Sequence, residues 1–373
     1  MRFFSSLIRG SIALGIAGAL VLSPALLGEA GATTSTVNVV GYSVAGLGIR
    51  ALEAAFQGTP AGANVTFNNT FGASDTMTTN VANGQAADFV NLSYSPNLTT
   101  LVGAGKVPAN WASQELTVGG VNVNLTGNKQ QTVYNTPGIL TDSAVVFVVR
   151  QGNPLKIKNW ADLVKPGVQI VTPNPTSSGS ARWNLLAAYT AQIALKKTSH
   201  QAIDYLKKLL SNVVAQPTSG SLSMSAFVAG TGNVLLAYED DAKAAIAAGN
   251  NIQFITPPQT MLIENPAALT TTGLANPAAV AFYKYAFSKA GQVILASLGY
   301  RPVLKSVATI TASIFTNFTK KNSLLRVTDI NKNGWTSANL QFFSPTVTFP
   351  AGNTTYPRFG IVTYLEQFVG SNG

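Results

Sequence analysis

A run of small hydroxyl residues and one glycine stands directly before a helical pattern near the middle of the chain. Residues 176–180 read Thr-Ser-Ser-Gly-Ser, and the apolar spacing from Ala181 to Lys197 predicts a helix. The first N–H groups of a helix lack partners within the helix and carry partial positive charge, so they attract anions. Serine hydroxyls add neutral donors, and a glycine lets an anion approach the backbone. The pattern alone fits an anion site and an ordinary helix cap equally well.

Few residues in the sequence are suited to catalysis. The chain has no cysteine, which excludes cysteine nucleophiles, thiolate metal sites and redox chemistry. The single histidine, His200, follows the basic end of a predicted helix, and no nucleophile motif supports a Ser-His-Asp triad. Residues 329–334 (Asp-Ile-Asn-Lys-Asn-Gly) begin like a calcium loop, but the twelfth position is Leu340 instead of a carboxylate. We therefore expect no enzyme activity, no metal and no cofactor.

Strand and helix patterns alternate along the chain. These elements must position the loop of residues 176–180. The predicted strands are 37–42, 63–68, 87–92, 143–150, 169–172, 234–238 and 252–255. The predicted helices are 47–56, 77–81, 181–197, 241–248 and 278–295. Alternation of this kind predicts an α/β protein with mostly parallel sheets and helices on both faces.

The N-terminus has the features of a secretory signal peptide. Arg2 and Arg9 precede an apolar run from Ile12 to Leu27, and residues 30–32 (Ala-Gly-Ala) form a cleavage motif. The apolar run is short for a membrane span, which needs about 20 residues. We expect residues 1–32 to be removed, leaving a soluble exported protein in the periplasm or on the outer cell surface.

The charge of the chain is sparse and basic. Only 10% of the residues are charged, against about 25% in typical soluble domains. Leaving out Arg2, Arg9 and Glu29 reduces 24 Lys and Arg to 22 and 14 Asp and Glu to 13, a net charge of +9. The cations are scattered rather than arranged in a stripe with aromatics, so we expect a monomer that binds small anions and no nucleic acid.

The segment 145–189 resembles the sulfate/thiosulfate-binding proteins of bacterial ABC importers, a family of periplasmic solute-binding proteins. A weaker likeness extends over about residues 37–303. The motifs that carry the resemblance are Arg150-x-Gly152-Asn153-Pro154, Trp160-Ala161-Asp162-Leu163, Lys165-Pro166-Gly167-Val168, Thr172-Pro173-Asn174-Pro175, Ser178-Gly179 and Ala181-Arg182-Trp183-Asn184.

The resemblance implies a two-lobed periplasmic-binding-protein fold of type II, with the ligand in a cleft between the lobes. Lobe one takes residues 36–120 and 250–305, and lobe two takes residues 121–249 and 306–373. It also implies a function: the protein captures sulfate or thiosulfate by neutral hydrogen-bond donors and delivers it to an ABC permease. A phosphate- or molybdate-binding protein of the same fold is the first alternative. A repurposed surface protein and a secreted hydrolase are the others.

The family's ligand-binding positions carry over onto seven residues of this chain. They are Ser43, Ser74, Ser178, Gly179, Ser180, Ser223 and Tyr238. Three differ from the family pattern: Ser43 replaces an aspartate, Ser180 a second glycine and Tyr238 a donor tryptophan. Ser223 stands at a small residue whose N–H donates. These departures leave the identity of the anion open.

Two charged residues, Asp75 and Arg182, lie near these positions in the sequence. Asp75 could accept the proton that phosphate carries and sulfate lacks. As an acidic residue in the first turn of a helix, it could also simply complement the helix dipole. We expect the second role, and we expect Arg182 to pair with a carboxylate instead of contacting the anion.

Overall fold

The computed structural model describes residues 34–114, 136–318 and 324–370. The predicted signal peptide, 1–32, lies outside the described residues, as does part of predicted lobe two, 121–135. Among the described residues, no helix is both long enough and apolar enough to cross a bilayer.

Strands and helices alternate through most of the described chain. The strands are β1 (Ser35–Tyr42), β2 (Val65–Gly72), β3 (Phe89–Asn91), β4 (Ile139–Arg150), β5 (Ile170–Val171), β6 (Val213–Ala215), β7 (Val234–Tyr238), β8 (Ile252–Ile255), β9 (Thr260–Leu269), β10 (Arg301–Pro302) and β11 (Leu324–Leu325). The helices are α1 (Gly46–Gln57), α2 (Ser74–Ala82), α3 (Ser95–Gly103), α4 (Gly179–Ala194), α5 (Ser199–Ser211), α6 (Gly220–Val228), α7 (Glu239–Ala247), α8 (Thr271–Leu274), α9 (Pro277–Phe287), α10 (Lys289–Ser297), α11 (Lys305–Ile310), α12 (Val327–Ile330), α13 (Trp335–Phe343) and α14 (Ile361–Gly370).

The sheet contains two parallel groups of strands. Strand β1 pairs in parallel with β2 and β3, and β5 pairs in parallel with β6 and β7. The long strands β4 and β9 join these groups by antiparallel pairing, so the order is β2-β1-β3-β9-β4-β7-β5-β6. This arrangement confirms the predicted α/β class. The first group falls in predicted lobe one and the second in predicted lobe two, although the boundaries of the lobes remain a prediction.

Strand β4 lies in the interior of the protein. Its residues are all buried except the last, Arg150, which fits a strand with a layer of structure on both faces. The sequence from 143 to 150 predicts a strand, and the structure extends it back to Ile139. Helix α4 packs against β9, β7 and β4, which are neighbours in the middle of the sheet.

The single helix predicted over 278–295 is wrong, because the chain forms two helices there that meet at Ser288. The backbone of Ser288 is extended, and its hydroxyl accepts a hydrogen bond from the N–H of Gly291 at 3.2 Å. A Cβ at Gly291 would stand 2.3 Å from the carbonyl oxygen of Tyr285, so the tight junction requires glycine. Capping of α10 by a serine thus outweighs an apolar period that continues across the break.

The C-terminal segment, predicted to pack on lobe two, contacts residues of both predicted lobes. Trp335 at the start of α13 packs edge-on against Tyr94 and Trp183, with ring centroids 4.9 and 4.7 Å apart. Helix α14 packs against α5. Trp335 therefore buttresses the region where α4 begins.

Candidate anion site

Helix α4 begins with Gly179, and Ser178 is its N-cap residue. The Ser178 side chain makes no capping hydrogen bond, and the N–H of Ala181 donates instead to the Ser178 carbonyl oxygen at 3.2 Å. An ordinary serine cap would use its hydroxyl to accept from the first turn. Ser178 and Ser180 are nevertheless buried, with 2% and 5% of their surfaces exposed. The Ser178 hydroxyl therefore does not act as an ordinary side-chain cap of α4.

Gly179 packs against the segment that follows β3. A Cβ at this position would stand 1.9 Å from Ser93 Oγ and 2.6 Å from Tyr94 Cδ1. Contacts below 3.0 Å are not tolerated, so any larger residue would push the segment 93–94 away from α4. A hydrogen bond also holds α4 close to this segment, because Trp183 Nε1 donates to the Ser93 carbonyl oxygen at 2.7 Å.

Ser74, the first residue of α2, lies on the other side of the Ser93 segment. Its hydroxyl donates to Asn97 Oδ1 at 2.6 Å and accepts from the N–H of Ser93 at 3.0 Å. The N–H of the next residue, Asp75, donates across to the Ser177 carbonyl oxygen at 3.1 Å. Hydrogen bonds thus connect the start of α2 with the loop that precedes α4.

Ser43 follows β1 and faces the start of α6. The N–H of Ser221 donates to Ser43 Oγ at 3.3 Å. Ser223, the residue singled out in the sequence, lies one turn into α6, and both its N–H and its hydroxyl donate to the Ser219 carbonyl oxygen at 3.0 Å. In this structure the donor of α6 that faces Ser43 is therefore Ser221, which is not among the predicted residues.

Tyr238, at the end of β7, places its hydroxyl near the side chains of Ser93 and Ser180. The residue is 1% exposed, and its Oη has no hydrogen-bond partner among the described residues. Burial raises the pKa of Tyr238, and the side chains of Ser180, Asn265 and Ser93 lie close enough to oppose that rise. The Ser93 hydroxyl is likewise buried without a hydrogen-bond partner in the described part of the chain. A small cavity of about 10 Å³, lined in part by Ser180 and Tyr238, lies beside them.

We call one set of residues the neutral donor group, because it presents hydroxyl and backbone N–H groups without a formal charge. Its members are Ser93, Ser178, Gly179, Ser180 and Tyr238. Four of these five are among the seven residues predicted from the sequence. Ser93 was not predicted, because it follows the apolar strand 87–92 and no motif surrounds it.

A second set, the charged cluster, lies one helical turn further along α4. Arg182 Nη2 forms an ion pair with Asp75 Oδ2 at 2.6 Å, and Arg182 Nη1 donates to Asn339 Oδ1 at 2.8 Å. Asp75 Oδ1 accepts from Asn97 Nδ2 at 2.7 Å and from the Tyr94 hydroxyl at 3.1 Å. Burial raises the pKa of Asp75, and the Arg182 guanidinium acts against that rise. The predicted pairing of Arg182 with a carboxylate is confirmed.

The partners of Asp75 bear on the phosphate alternative. Both of its carboxylate oxygens already accept hydrogen bonds from protein donors. A carboxylate so occupied is poorly placed to accept a proton from a bound anion. No group of three or more His, Asp or Glu side chains in the described residues is arranged to hold a metal ion.

Comparison with known proteins gives the family. The chain belongs to the bacterial extracellular solute-binding proteins, whose family model matches residues 39–301. The periplasmic binding protein AfuA from Actinobacillus pleuropneumoniae shares the fold at 18% identity, with a TM-score of 0.58 over 78% of this chain and 91% of AfuA. The predicted periplasmic-binding-protein fold is thereby confirmed.

The individual relatives include several sulfate-binding proteins. This chain is 31% identical to the sulfate-binding protein of Synechococcus elongatus over 286 residues, covering 76% of this chain and 75% of the relative. It is also 31% identical to the Escherichia coli K12 sulfate-binding protein, covering 77% and 83% respectively. The solved structure of the sulfate-binding protein SubI from Mycobacterium tuberculosis H37Rv is 36% identical, with a TM-score of 0.74 over 83% of this chain and all of SubI.

Proposed function

We propose that this protein captures sulfate outside the cytoplasm and delivers it to an ABC permease. Relatives named for sulfate binding match across three quarters of the chain, and the segment that carries the resemblance includes the start of α4. The observation that carries the proposal is the buried N-cap Ser178, whose hydroxyl makes no capping hydrogen bond. A dianion seated there would be held by neutral donors and by the partial charge of the helix end.

The proposed mechanism is closure of two lobes on the anion. Residues 36–120 and 250–305 would form lobe one, and residues 121–249 and 306–373 lobe two. Ser43 and Ser74 would contribute from the first lobe, and Ser178–Ser180, Tyr238 and the α6 N-terminus, where Ser223 was predicted to contribute, from the second. Because only the closed form makes both sets of contacts, sulfate would shift the population toward it. The permease would then recognise the closed form.

The remaining parts of the proposal concern the setting of the protein. Cleavage after residue 32 would release a soluble monomer with a net charge of +9, which would steer anions toward the site. No catalytic step and no nucleic-acid partner is proposed. Thiosulfate is the nearest competing ligand, since a thiosulfate-binding protein of Pseudomonas aeruginosa is 28% identical over 65% of this chain and 69% of that relative.

Titration calorimetry on the mature protein tests the proposal with a pair of serine variants. Ser178→Ala should weaken sulfate binding by about 10-fold or more, because it removes a neutral donor to a charged ligand. Its stability should change little, because the hydroxyl caps nothing in the helix.

The matched control is Ser288→Ala, in which the lost hydroxyl does cap a helix. It should lower the free energy of unfolding by about 1 kcal/mol and leave sulfate affinity unchanged. Titrations with thiosulfate, phosphate and molybdate complete the series. Tighter binding of phosphate than of sulfate, or no binding of any of the four anions, would contradict the proposal.

A further inference from the structure

The Ser93 hydroxyl is a buried donor that makes no hydrogen bond of normal length and angle in the described structure, although the backbone around it is fully engaged. The N–H of Ser93 donates to Ser74 Oγ at 3.0 Å. Its carbonyl oxygen accepts from Trp183 Nε1 at 2.7 Å and from Asn265 Nδ2 at 3.0 Å. Three hydrogen bonds therefore fix the position of the residue, while its side chain is 0% exposed and has no partner among the described residues. Buried polar groups in native proteins are nearly always paired, so an exception at a cleft requires an explanation.

The position of this hydroxyl relative to α4 supplies one. A Cβ built at Gly179 would be only 1.9 Å from Ser93 Oγ. The Ser93 hydroxyl therefore packs directly against the first residue of the helix. The Tyr238 hydroxyl lies near it and is also buried and without a partner in the described residues. Two hydroxyl groups without a hydrogen bond of normal length and angle thus lie beside a helix end that attracts negative charge.

We propose that Ser93 Oγ donates directly to the bound oxyanion and acts together with Tyr238 Oη. The pair would take the place of the single tryptophan donor that the resemblance implies at position 238. A phenol and an indole place their donors at different distances from the backbone. A second hydroxyl on the facing segment would compensate for that difference. This inference rests on the proposed function and adds a ligand-contacting residue to it.

The chemistry of the pair suits a fully deprotonated dianion. Hydrogen bonds from neutral donors to an ionised acceptor are shorter and stronger than bonds between neutral groups. Neither Ser93 nor Tyr238 brings a charge that would need a counter-ion in the absence of ligand. The adjacent cavity of about 10 Å³ has room for about one water molecule, so the side chains must separate to admit an oxyanion.

The test is a calorimetric titration with sodium sulfate of the mature wild type, Ser93→Ala, Tyr238→Phe and the double variant. Each single variant should bind sulfate about 10- to 100-fold more weakly, because each loses one hydrogen bond to a charged ligand. The melting temperature of ligand-free Ser93→Ala should stay the same, because the missing hydroxyl has no partner in the described structure. Ser225→Ala removes an exposed hydroxyl that donates to the Ser221 carbonyl oxygen, and this control should bind like the wild type.

Three results would overturn the inference, and they are distinguishable. If the wild type binds sulfate and Ser93→Ala binds equally well, the role of Ser93 fails while the proposed function stands. If Ser93→Ala loses ligand-free stability in proportion to its affinity, Ser93 is structural. If the wild type binds no sulfate, both proposals fail. Should Ser93→Ala not fold, Tyr238→Phe tests the paired hydroxyls independently.

Discussion

The neutral donor group and the charged cluster both include residues at the start of α4 but differ in how their polar atoms are satisfied. Around Asp75 and Arg182, both carboxylate oxygens and three guanidinium nitrogens find protein partners. In the neutral donor group, the Ser93 and Tyr238 hydroxyls have none among the described residues, and Ser178 leaves its helix uncapped by a side chain. The two groups therefore differ in role. Charges hold the segments together, and we propose that the neutral donors bind the ligand.

Leaving charges out of the ligand-facing group has a physical benefit. A buried unpaired cation would be costly without an anion, because desolvating a charge is far more expensive than desolvating a hydroxyl. Hydroxyl groups and helix N–H groups carry a smaller penalty and can still stabilise a dianion together. The site can therefore exist empty as well as filled, as a protein that releases its cargo requires.

The largest loss of sulfate affinity is expected from adding a side chain at Gly179. Gly179→Ala puts a Cβ against Ser93 Oγ and Tyr94, which forces the segment away from α4. We expect sulfate affinity to fall by about 100-fold or more and the free energy of unfolding to fall by about 1–3 kcal/mol. Calorimetry and thermal unfolding measure the two effects.

The matched control for this variant is Gly103→Ala, at the end of α3. An added Cβ there meets nothing within 4 Å, so binding should be unchanged and stability equal or slightly higher. Normal sulfate binding by Gly179→Ala would show that the neutral donor group does not need the close approach described above.

A smaller effect, on stability more than on ligand choice, is expected from the charged cluster. Arg182→Met leaves Asp75 partly buried without its cation and should lower the free energy of unfolding by about 2 kcal/mol at neutral pH. The loss should be smaller at pH 5 than at pH 8. Burial already raises the pKa of Asp75, and removing Arg182 raises it further, so the carboxyl group is more readily neutralised in acid.

Adding Asp75→Asn to Arg182→Met should recover part of that stability, which a double-mutant cycle in urea would measure. The preference for sulfate over phosphate should be the same in Asp75→Asn as in the wild type. A switch in anion preference would instead make Asp75 a ligand and erase the distinction between the two groups of residues.

An effect confined to the pH dependence of stability concerns Asp240, a buried carboxyl two residues beyond Tyr238 that accepts a hydrogen bond from Ser143. Burial raises the pKa of Asp240 to about 7. Because the folded state holds this proton more tightly than the unfolded state, the stability it supports is complete below about pH 4 and is lost as the pH rises through about 7. Between pH 5 and 8 this loss should be about 3 kcal/mol.

Asp240→Asn should therefore flatten the decline of the melting temperature between pH 5 and pH 8. Asp329→Asn, at an exposed carboxyl group, is the charge-matched control and should keep the wild-type profile. An unchanged profile in Asp240→Asn would mean that this carboxyl group is ionised in the folded protein throughout that range.

The sequence predicted the local elements better than the contacts between them. The strand at 143–150 and the helix after Ser180 could be predicted because apolar residues recur with the period of each element. The break at Ser288 was missed because the apolar period continues across it. Strand β9 was missed because Pro266 and the polar pair before it disguise a buried strand.

The same limit applies to the candidate site. Ser178 and Gly179 were identifiable because a serine-glycine loop before a helix has a physical meaning on its own. The roles of Ser93 and Ser221 depend on which segments meet in space, at separations of 86 residues between Ser93 and Gly179 and 178 between Ser43 and Ser221. No local pattern contains that information, so only the structure could select them.

The most direct test of the central claim is a crystal structure of the mature protein grown with sulfate. The account predicts one sulfate at the start of α4, within hydrogen-bond distance of Ser93 Oγ, Ser178 Oγ, Tyr238 Oη and the N–H groups of Gly179 and Ser180. Arg182 should remain paired with Asp75, with no charged side chain touching the anion. A sulfate held by Arg182, or one bound elsewhere while the α4 N-terminus stays empty, would contradict the account.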